Sequence, residues 1–311
     1  MKDKEWVTIC TPTYNRRHTL TRVYNSLERQ TLKNFIWLII DDGSTDDTKE
    51  LIDSFKAIST FEICYFYKQN GGRHTALNYA YRLINTEFVL NLDSDDELMD
   101  NAIEILFDTY SVIKKRNDYS RFWAITGRCI DSVTSKVVSN EFPKGVNNLV
   151  GKKQHKVITK LYGEKCSCRK IKILKNYPFP EADGINFIPE DLVWETINKD
   201  YDQYCINNIL RIYHTDSEDS LCKGKVHSST KWKSAFMGHL FYINDCFDQL
   251  LYSKKCLYAL LDYFRCCYYA DYSLFDGLKK INKIHKRIIV LFLSSIGWFC
   301  LEVREKVLKY K

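Results

Sequence analysis

Four consecutive residues carry three carboxylates and a hydroxyl, enough to hold a metal ion: Asp93, Ser94, Asp95 and Asp96. They follow the apolar run 88–92, which predicts a buried strand, and a helical pattern beginning at Leu98 comes after them. Open α/β sheets bind ligands at the carboxyl ends of their strands, so these side chains are placed to bind Mg²⁺ or Mn²⁺. Phosphates and waters usually complete such a shell, which indicates a phosphate-bearing substrate. The alternative is an acidic turn that caps the next helix.

A second acidic cluster in an equivalent place favours the binding site. The run 35–40 is apolar throughout, as expected of a strand buried on both faces in a parallel sheet, and Asp41 and Asp42 follow it directly. Ser44 or Asp46 is expected to cap the helix that comes next. Two acidic clusters that each follow a buried strand favour ligand binding over helix capping.

The first third of the chain contains four units of strand, polar loop and helix. The first strand is predicted over 6–10 and the third over 61–67. Right-handed crossovers would place all four loops along one edge of one sheet. That edge would carry an aromatic ring, two basic side chains, flexible glycines and the two acidic clusters. Outside those clusters, the loop residues concerned are Thr11, Tyr14, Arg16, Asn70, Gly71, Gly72 and Arg73.

Taken in order, these motifs resemble those of family 2 glycosyltransferases of the GT-A fold, which are inverting enzymes that use sugar nucleotides. The segments that carry the resemblance are 11–16 (Thr-Pro-Thr-Tyr-Asn-Arg), 41–46 (Asp-Asp-Gly-Ser-Thr-Asp), 70–72 (Asn-Gly-Gly), 93–96 and the pair Glu190 and Asp191. The resemblance extends over residues 5–220. It implies an α/β fold of the GT-A (nucleotide-diphospho-sugar transferase) type, a Rossmann-like mixed sheet flanked by helices.

The resemblance and a change in composition divide the chain. A GT-A catalytic domain is expected over 1–220, with a donor-binding half at 1–115 and an acceptor and base half at 116–220. A helical, aromatic-rich C-terminal extension is expected over 221–311. Its aromatic residues, dense over 230–275, have the spacing of packed helices. We interpret them as the core of this appendage in preference to an acceptor site.

The resemblance also implies roles in donor binding. Tyr14 would stack on uracil, Thr11 would hydrogen-bond to it, and Asp42 would accept from the pyrimidine NH. Asp95 is the expected ligand of Mn²⁺ or Mg²⁺, and Asp93 would reach the ribose or assist the metal. The remaining residues expected at the nucleotide sugar are Arg16, Asp41, Asn70, Arg73 and Ser94.

Two basic residues would serve the leaving group. Arg73 has the charge and reach to approach the diphosphate. His214, after a strand predicted over 205–213, resembles a late histidine of the family that would complete the metal shell or contact the diphosphate; the alternative is a structural histidine. A nucleoside diphosphate leaves with developing negative charge, which a bound divalent cation stabilises without proton transfer.

An acidic pair at a predicted helix start, Glu190 and Asp191, matches the position of the family's catalytic base, and Asp191 is the expected base. Displacement at the anomeric carbon with inversion requires the acceptor hydroxyl to lose its proton on the face opposite the leaving group. Trp194, three residues on, is expected at the acceptor. The alternative is acidic charge that complements the helix dipole after Pro189.

Composition excludes several classes of protein. Hydrophobic residues make up 45% of the 311, which argues against disorder. The twelve cysteines are scattered and no secretory signal precedes them, so we expect reduced cytosolic thiols. Their spacing matches no structural zinc site. Neither a P-loop nor a dinucleotide fingerprint occurs, which argues against a Rossmann oxidoreductase.

The end of the sequence combines an apolar segment with clustered positive charge. Residues 288–301 carry no charge and are too few to span a bilayer, which takes about 20. Residues 279–311 hold nine Lys and Arg against two Glu. This predicts a helix over 286–311 on an anionic membrane surface, and it argues against nucleic acid as a partner. The side chains expected to insert are Trp298, Phe292 and Phe299, and those expected at the lipid headgroups are Lys283, Lys286, Arg287, Arg304, Lys306 and Lys309. The alternative is a helix buried against the aromatic appendage.

These observations predict a cytoplasmic transferase, peripheral on the inner face of the cell membrane. It would move a sugar from a nucleotide sugar, expected to be a UDP-sugar, to a hydroxyl of a glycan or lipid-linked glycan in capsular polysaccharide, exopolysaccharide or O-antigen assembly. One alternative is a nucleotidyltransferase acting on sugar phosphates, which would not need a base at 190–191. The other is a catalytically silent sugar-nucleotide-binding protein, against which the intact acidic clusters speak.

Overall fold

The computed structural model describes residues 5–143, 163–181, 185, 187–215, 229–245, 247 and 254–309. The chain forms two compact units. The first contains Met1–Pro178 and Ile197–Cys222, and the second contains Phe179–Thr196 and Lys223–Lys311. Residues 179–196, which include Glu190 and Asp191, belong to the second unit in this division. The catalytic domain expected over 1–220 stays a prediction.

The first unit contains a mixed sheet whose parallel half is formed by β1 (Val7–Thr13), β2 (Phe35–Asp41), β3 (Glu62–Tyr67) and β4 (Phe88–Asn91). These strands lie side by side in the order β3-β2-β1-β4, and every neighbouring pair is parallel. β1 and β2 are buried almost throughout because both faces of a central parallel strand are covered. β3 is more exposed, as expected at the edge. The four strands predicted from the sequence are confirmed.

The helices that alternate with these strands are α1 (Arg17–Glu28), α2 (Thr48–Ile58), α3 (Arg73–Leu83) and α4 (Ala102–Ile113). The prediction that Ser44 or Asp46 caps α2 is wrong. Asp47 is the N-cap residue, and its side chain makes no capping hydrogen bond. The Ser44 hydroxyl instead accepts from the backbone N–H of Asn15, and the Asp46 carboxylate accepts from that of Arg17. Both side chains therefore tie the loop after β2 to the loop after β1.

The sheet continues beyond β4 with an antiparallel strand. It is completed by β5 (Glu97–Leu98), β6 (Phe122–Asp131), β7 (Lys165–Lys170) and β8 (Asp202–Tyr213), in the order β4-β7-β6-β8-β5. β7 is antiparallel to both β4 and β6, β8 is parallel to β6, and β5 is antiparallel to β8. A short helix, α5 (Ile171–Leu174), follows β7.

The helix expected from Leu98 begins only at Ala102, so that prediction is wrong at its start. Leu98 lies in β5, where it pairs with Arg211 of β8, and Met99 donates its backbone N–H to the carbonyl of Leu210. A two-residue strand is too short to show a periodic pattern, and a buried leucine suits a helix equally well. Because β5 pairs with β8, the acidic loop 93–96 is fixed between β4 and β5, beside the end of β8.

A continuous hydrophobic core lies behind these loops and takes side chains from both halves of the sheet, among them Trp37, Phe88 and Ile125. Trp6 stacks on Tyr110, with ring centroids 5.4 Å apart. The ten cysteines in the described part of the chain are free thiols, and most are buried. A core packed in this way makes the loop edge a rigid platform.

The second unit is helical, with α6 (Asp191–Ile197), α7 (Ser229–Asp245), α8 (Lys254–Tyr269), α9 (Leu274–Lys280) and α10 (Ile284–Lys309). Its core contains Phe236, Tyr263 and Phe264, and the ring of Phe236 also stacks on Tyr272 at 4.5 Å. These residues support the interpretation of the aromatic segment as a helical core. Among the helices the structure describes, none has the length and apolar content needed to cross a bilayer.

Candidate active site

The acidic loop after β4 is held by arginines from three different elements. Arg73, the first residue of α3, places Nη2 2.5 Å from Oδ1 of Asp93. Arg16, which precedes α1, places Nη1 3.6 Å from Oδ2 of Asp95. Arg211 of β8 lies 3.9 Å from Asp93. The loop thus concentrates negative charge at the carboxyl edge of the sheet and surrounds it with fixed positive charge.

The three carboxylates of this loop differ in accessibility. The side chains of Asp93 and Asp95 are 35% and 21% exposed, whereas that of Asp96 is 1% exposed. Asp96 is occupied within the protein, because its Oδ1 accepts from the backbone N–H of His214 at 2.9 Å. Ser94 is also nearly buried. Asp93 and Asp95 are therefore the pair that a ligand can reach.

The same three carboxylates also differ in how the protein shifts their pKa values. Burial alone would raise the pKa of Asp93, but Arg73 and then Arg211 hold it below its ordinary value. Burial raises the pKa of Asp95, and the negative charge of Asp93 adds to this effect. Burial also raises the pKa of Asp96 to about 7, although Arg211 opposes the rise. Charges of one sign are crowded here, which disfavours a further anion unless a cation accompanies it.

A divalent cation fits this donor set. Mg²⁺ and Mn²⁺ prefer oxygen ligands, and one or two protein carboxylates are the usual contribution when phosphates supply the rest. Asp95 is accessible, and its ion pair with Arg16 is comparatively long at 3.6 Å. A cation bound at Asp95 would also offset the repulsion from Asp93 that contributes to its raised pKa.

The second acidic cluster has an internal role in the structure. Asp42 is almost fully buried and accepts from the backbone N–H groups of Gly71 and Gly72 at 3.1 and 2.7 Å. Lys68 Nζ donates to the same carboxylate at 2.5 Å. The amide of Asn70 donates to the backbone carbonyl of Asp42 at 2.8 Å. Asp42 and Asn70 thereby fix the glycine loop that precedes α3, and their expected contacts with the donor stay predictions.

Asp41 is held in a similar way. Its Oδ1 accepts from the backbone N–H of Ser44 at 2.7 Å, and its Oδ2 accepts from the Tyr65 hydroxyl at 2.6 Å. The adjacent Gly43 has a φ of 90°, and a Cβ at this position would come 2.8 Å from the backbone nitrogen of Asn70. The turn after β2 therefore packs directly on the glycine loop, and only glycine fits there.

The two residues expected at the uracil have different environments. The Tyr14 side chain is 48% exposed, next to Asn15, whose backbone is left-handed with a φ of 51° and whose amide oxygen accepts from the Thr45 N–H. Thr11 is completely buried, and its hydroxyl accepts from Trp37 Nε1 at 3.0 Å. Tyr14 is thus presented for stacking, whereas Thr11 is committed to the core in this arrangement. Both assignments stay predictions.

His214 lies at the carboxyl end of β8, beside the acidic loop. Its backbone N–H binds Asp96, and its Nε2 lies 3.0 Å from Oε1 of Glu97. Glu97 also pairs with Arg29 at 2.8 Å. The structure therefore brings His214 to the acidic loop, as the resemblance implies, through the bond of its backbone N–H to the Asp96 carboxylate and the contact of its ring with Glu97. Its role as a metal ligand stays a prediction.

Glu190, Asp191 and Trp194 lie together at the start of α6, in the second unit. The indole Nε1 of Trp194 donates to Glu190 Oε2 at 3.3 Å. The Trp194 ring also packs edge-on against Phe179 at 5.7 Å. Glu190 is thus engaged with Trp194, and Asp191, half-buried as the first helical residue, stays the predicted base.

Arg211 is a site residue that sequence reasoning missed. It is buried in β8, and it pairs with Asp96 at 3.3 Å and with Glu164 at 3.0 Å in addition to Asp93. The available signal was a charged residue between the apolar Leu210 and Ile212 near the end of a predicted strand, since charged side chains are almost never fully buried unless they are paired. Such a residue indicates a nearby cluster of opposite charge.

A separate grouping in the second unit also has metal-ligand chemistry: His239, Asp262 and Cys266. Arg265 Nε already pairs with the Asp262 carboxylate at 2.5 Å, and His239 Nε2 lies 3.1 Å from it. Burial strongly raises the pKa of the Cys266 thiol, and the charge of Asp262 raises it further, so the thiol is protonated. We interpret this grouping as an internal polar network of the helical core.

Comparisons with known proteins agree with this arrangement. Residues 8–136 match the model of glycosyl transferase family 2. The chain is 27% identical over 299 residues to the GalNAc(5)-diNAcBac-PP-undecaprenol beta-1,3-glucosyltransferase of Campylobacter jejuni, a match that spans 94% of this chain and 88% of the relative.

Solved structures give the fold. S. aureus TarS 1-349 in complex with UDP-GlcNAc superimposes with a TM-score of 0.57 at 17% identity, covering 92% of this chain and 79% of TarS 1-349. The mannosyltransferase PcManGT from Pyrobaculum calidifontis, in complex with GDP-Man and Mn²⁺, has a TM-score of 0.50 at 12% identity, covering 99% and 81%. The predicted GT-A fold, with its mixed sheet flanked by helices, is confirmed.

Proposed function

Because this chain belongs to glycosyltransferase family 2 and acts on a nucleotide sugar, we propose that it is an inverting, metal-assisted transferase that uses a UDP-sugar. The observation that carries the proposal is the pair of accessible carboxylates, Asp93 and Asp95, at the carboxyl edge of the sheet. They lie within reach of Arg73 and Arg16. Carboxylates for a cation, with guanidinium groups beside them, are the groups that a nucleoside diphosphate requires.

In this proposal the donor lies along the loop edge of the first unit. Tyr14 stacks on the uracil, which suits its 48% exposed ring, and Asp93 binds the ribose. Asp41, Asp42 and Asn70 shape the turn and the glycine loop around the donor. Arg73, positioned by Asp93, contributes positive charge towards the diphosphate.

Asp95 would hold Mn²⁺ or Mg²⁺, with His214, which contacts Asp96 and Glu97, as a second candidate ligand. The cation would supply stabilisation of the charge that develops on the leaving diphosphate. The PcManGT structure contains Mn²⁺ together with GDP-Man, which supports a metal in this fold. Arg16 would share the neutralisation of Asp95.

Asp191 is the proposed base, and Glu190 and Trp194 support the acceptor side. A carboxylate that takes the proton of the acceptor hydroxyl completes an inverting displacement without a covalent intermediate. Trp194, held by Glu190 and Phe179, offers an aromatic face of the kind that binds sugar rings.

We further propose that the acceptor is a lipid-linked glycan in the assembly of a surface polysaccharide such as a capsule or O-antigen. The C. jejuni relative supports this proposal, because the acceptor in its name is a glycan linked to undecaprenol through a diphosphate. A cytoplasmic enzyme, peripheral on the inner face of the cell membrane, would meet such an acceptor.

The test is transfer from a panel of UDP-sugars by purified protein, measured as UDP release with and without Mn²⁺ and with short lipid-linked acceptors. Metal-dependent UDP release from one UDP-sugar, stimulated by an acceptor, is the expected result. Binding without turnover across the panel would overturn the proposal in favour of a silent sugar-nucleotide-binding protein. Release of pyrophosphate from a nucleoside triphosphate when a sugar phosphate is present would indicate a nucleotidyltransferase.

A further inference from the structure

Over residues 284–300, helix α10 is covered on one side only. Its inner face contains Val290, Ser294 and Gly297, all buried against α8. The Ser294 hydroxyl donates to the backbone carbonyl of Leu260. A Cβ on Gly297 would come 2.2 Å from the backbone carbonyl oxygen of Leu261, so the two helices touch at their backbones. This face therefore matches the alternative of a helix packed against the appendage.

The opposite face of α10 is exposed and mostly apolar, with His285 and Ser295 as its exposed polar residues. Its apolar members follow one another at intervals of one to four residues along a single stripe: Ile284, Ile288, Leu291, Phe292, Ile296 and Phe299. Phe292 is 67% exposed and Phe299 is 73% exposed. Phe275 of α9, also 67% exposed, extends the stripe, and a shallow depression of about 260 Å³ lies between the two helices. We call these seven residues the apolar face.

The charges next to the apolar face are mostly positive; the acidic exception is the exposed Asp276, next to Phe275, whose carboxylate accepts from the Ser273 hydroxyl. The sequence from Gly277 to Leu301 contains five Lys and Arg and no Asp or Glu. Lys283 is exposed, and Lys279 lies 4.3 Å from the centre of the Phe275 ring, directly at the border of the apolar face. Bulky apolar side chains bordered by lysines fit the interface of a bilayer that contains anionic lipids.

Two residues expected to contact lipid are used inside the protein instead. Lys286 is buried, and its Nζ donates to the backbone carbonyls of Ile243 and Asn244 at the end of α7. The Trp298 ring packs against Tyr268, with centroids 5.4 Å apart. The membrane interpretation therefore depends on the opposite side of the helix, with Lys279 and Lys283 as its basic border.

We propose that the apolar face docks into the surface of an anionic bilayer, with the axis of α10 parallel to the membrane plane. A second copy of the chain is the other occupant to consider. A symmetric pair would place each face against itself and would bring the two basic borders together, with five Lys and Arg against Asp276 as the single acid over residues 276–301 of each copy, which costs binding energy. An anionic bilayer satisfies the apolar and the basic parts at once.

The experiment compares sedimentation of the full chain with vesicles of phosphatidylcholine alone and of phosphatidylcholine mixed with phosphatidylglycerol. Ile288→Gln/Phe292→Gln removes two side chains from the apolar face. The matched control is Ile58→Gln/Val133→Gln, because both residues are 70% exposed in the first unit. The first pair should weaken binding to the mixed vesicles on the order of tenfold to hundredfold, and the control should leave it unchanged.

A charge variant gives an independent measurement. Lys279→Gln/Lys283→Gln should weaken binding to the mixed vesicles by about fivefold for each lysine and should have little effect on phosphatidylcholine alone. Circular dichroism and the melting temperature establish that each variant is folded. If the Ile288→Gln/Phe292→Gln protein does not fold, Phe299→Gln alone tests the same face.

Three results would overturn the proposal: no binding of the wild-type protein to mixed vesicles, equal binding of the apolar variant and its control, or insensitivity to both lysine substitutions. Light scattering identifies the competing occupant. A dimer that dissociates on Ile288→Gln/Phe292→Gln while vesicle binding is unchanged would assign the face to a second copy. Each of these outcomes is independent of which sugar nucleotide the enzyme uses.

Discussion

Arg211 Nη1 lies 3.3 Å from Oδ2 of Asp96, and both side chains are almost completely buried. This ion pair joins β8 to the acidic loop after β4. Arg211 also faces Asp93, one of the two accessible carboxylates of the loop. The geometry of the candidate metal site therefore depends on a residue outside every sequence motif.

Removal of this arginine should be strongly destabilising. Arg211→Met removes a buried cation that Asp93, Asp96 and Glu164 share, and the free energy of unfolding should fall by about 3–5 kcal/mol at neutral pH. Urea denaturation is the measurement. Arg29→Met is the matched control, because Arg29 pairs with Glu97 of the next strand while its side chain is 46% exposed, and it should cost no more than about 1 kcal/mol. Equal losses in the two variants would show that Arg211 does not have this role.

Asp96 should give stability a defined pH dependence when metal is removed with EDTA. Its pKa is raised from 3.8 to about 7 in the folded protein. A raised pKa on an acid stabilises the fold at low pH, and this contribution is lost as the pH rises through about 7. Asp96→Asn keeps an oxygen acceptor for His214 and should flatten the slope of melting temperature against pH between about 5 and 8. Parallel slopes for the variant and the wild type would contradict this assignment.

The parallel half of the sheet was predictable because its strands are long, apolar and followed by polar loops. Residues 35–40 show this most clearly, and β2 covers them. Leu98 was misassigned because β5 has only two residues, and its pairing with Arg211 is a long-range contact that leaves no periodic pattern. Arg211 was missed for the same reason, whereas Arg16 and Arg73, the other arginine partners of the acidic loop, lie in loops that the sequence placed at this edge.

At several positions the local sequence is compatible with two different roles for the side chain. Ser44 and Asp46 have the chemistry of helix caps, but tertiary contacts with Asn15 and Arg17 occupy them. Lys286 has the sequence context of a membrane-facing lysine, but α7 provides carbonyl partners for its ammonium group. In each case a partner distant in sequence decided the outcome, which composition and spacing do not encode.

Tyr14 should contribute to donor affinity through its ring. Tyr14→Ala should weaken UDP binding by about 1–3 kcal/mol, the range for stacking of a base on an aromatic side chain. Tyr14→Phe keeps the ring and should bind nearly as well as the wild type. Isothermal titration calorimetry with UDP distinguishes the two. Equal affinity of all three proteins would remove Tyr14 from the site.

Asp191 should affect turnover and leave donor binding intact. Asp191→Asn preserves shape and removes the base, so transfer should fall by roughly 10² to 10⁴. Glu195→Gln, one turn further along α6, is the control for loss of a carboxylate from the same helix. If calorimetry showed that Asp191→Asn had lost affinity for the UDP-sugar, Asp191 would be a donor or structural residue.

The most direct test of the account is the rate of sugar transfer in Mn²⁺ and in excess EDTA, for the wild type, Asp95→Asn and Asp100→Asn. Asp95 is the accessible carboxylate assigned to the metal, and Asp100, 61% exposed, is a nearby carboxylate outside the site. We expect the wild type and Asp100→Asn to be active in Mn²⁺, to lose activity in EDTA and to regain it when Mn²⁺ is restored. Asp95→Asn should be inactive in both conditions while its melting temperature stays close to that of the wild type. Full activity of the wild type in EDTA, or a fully active Asp95→Asn, would contradict the proposed metal-assisted transfer.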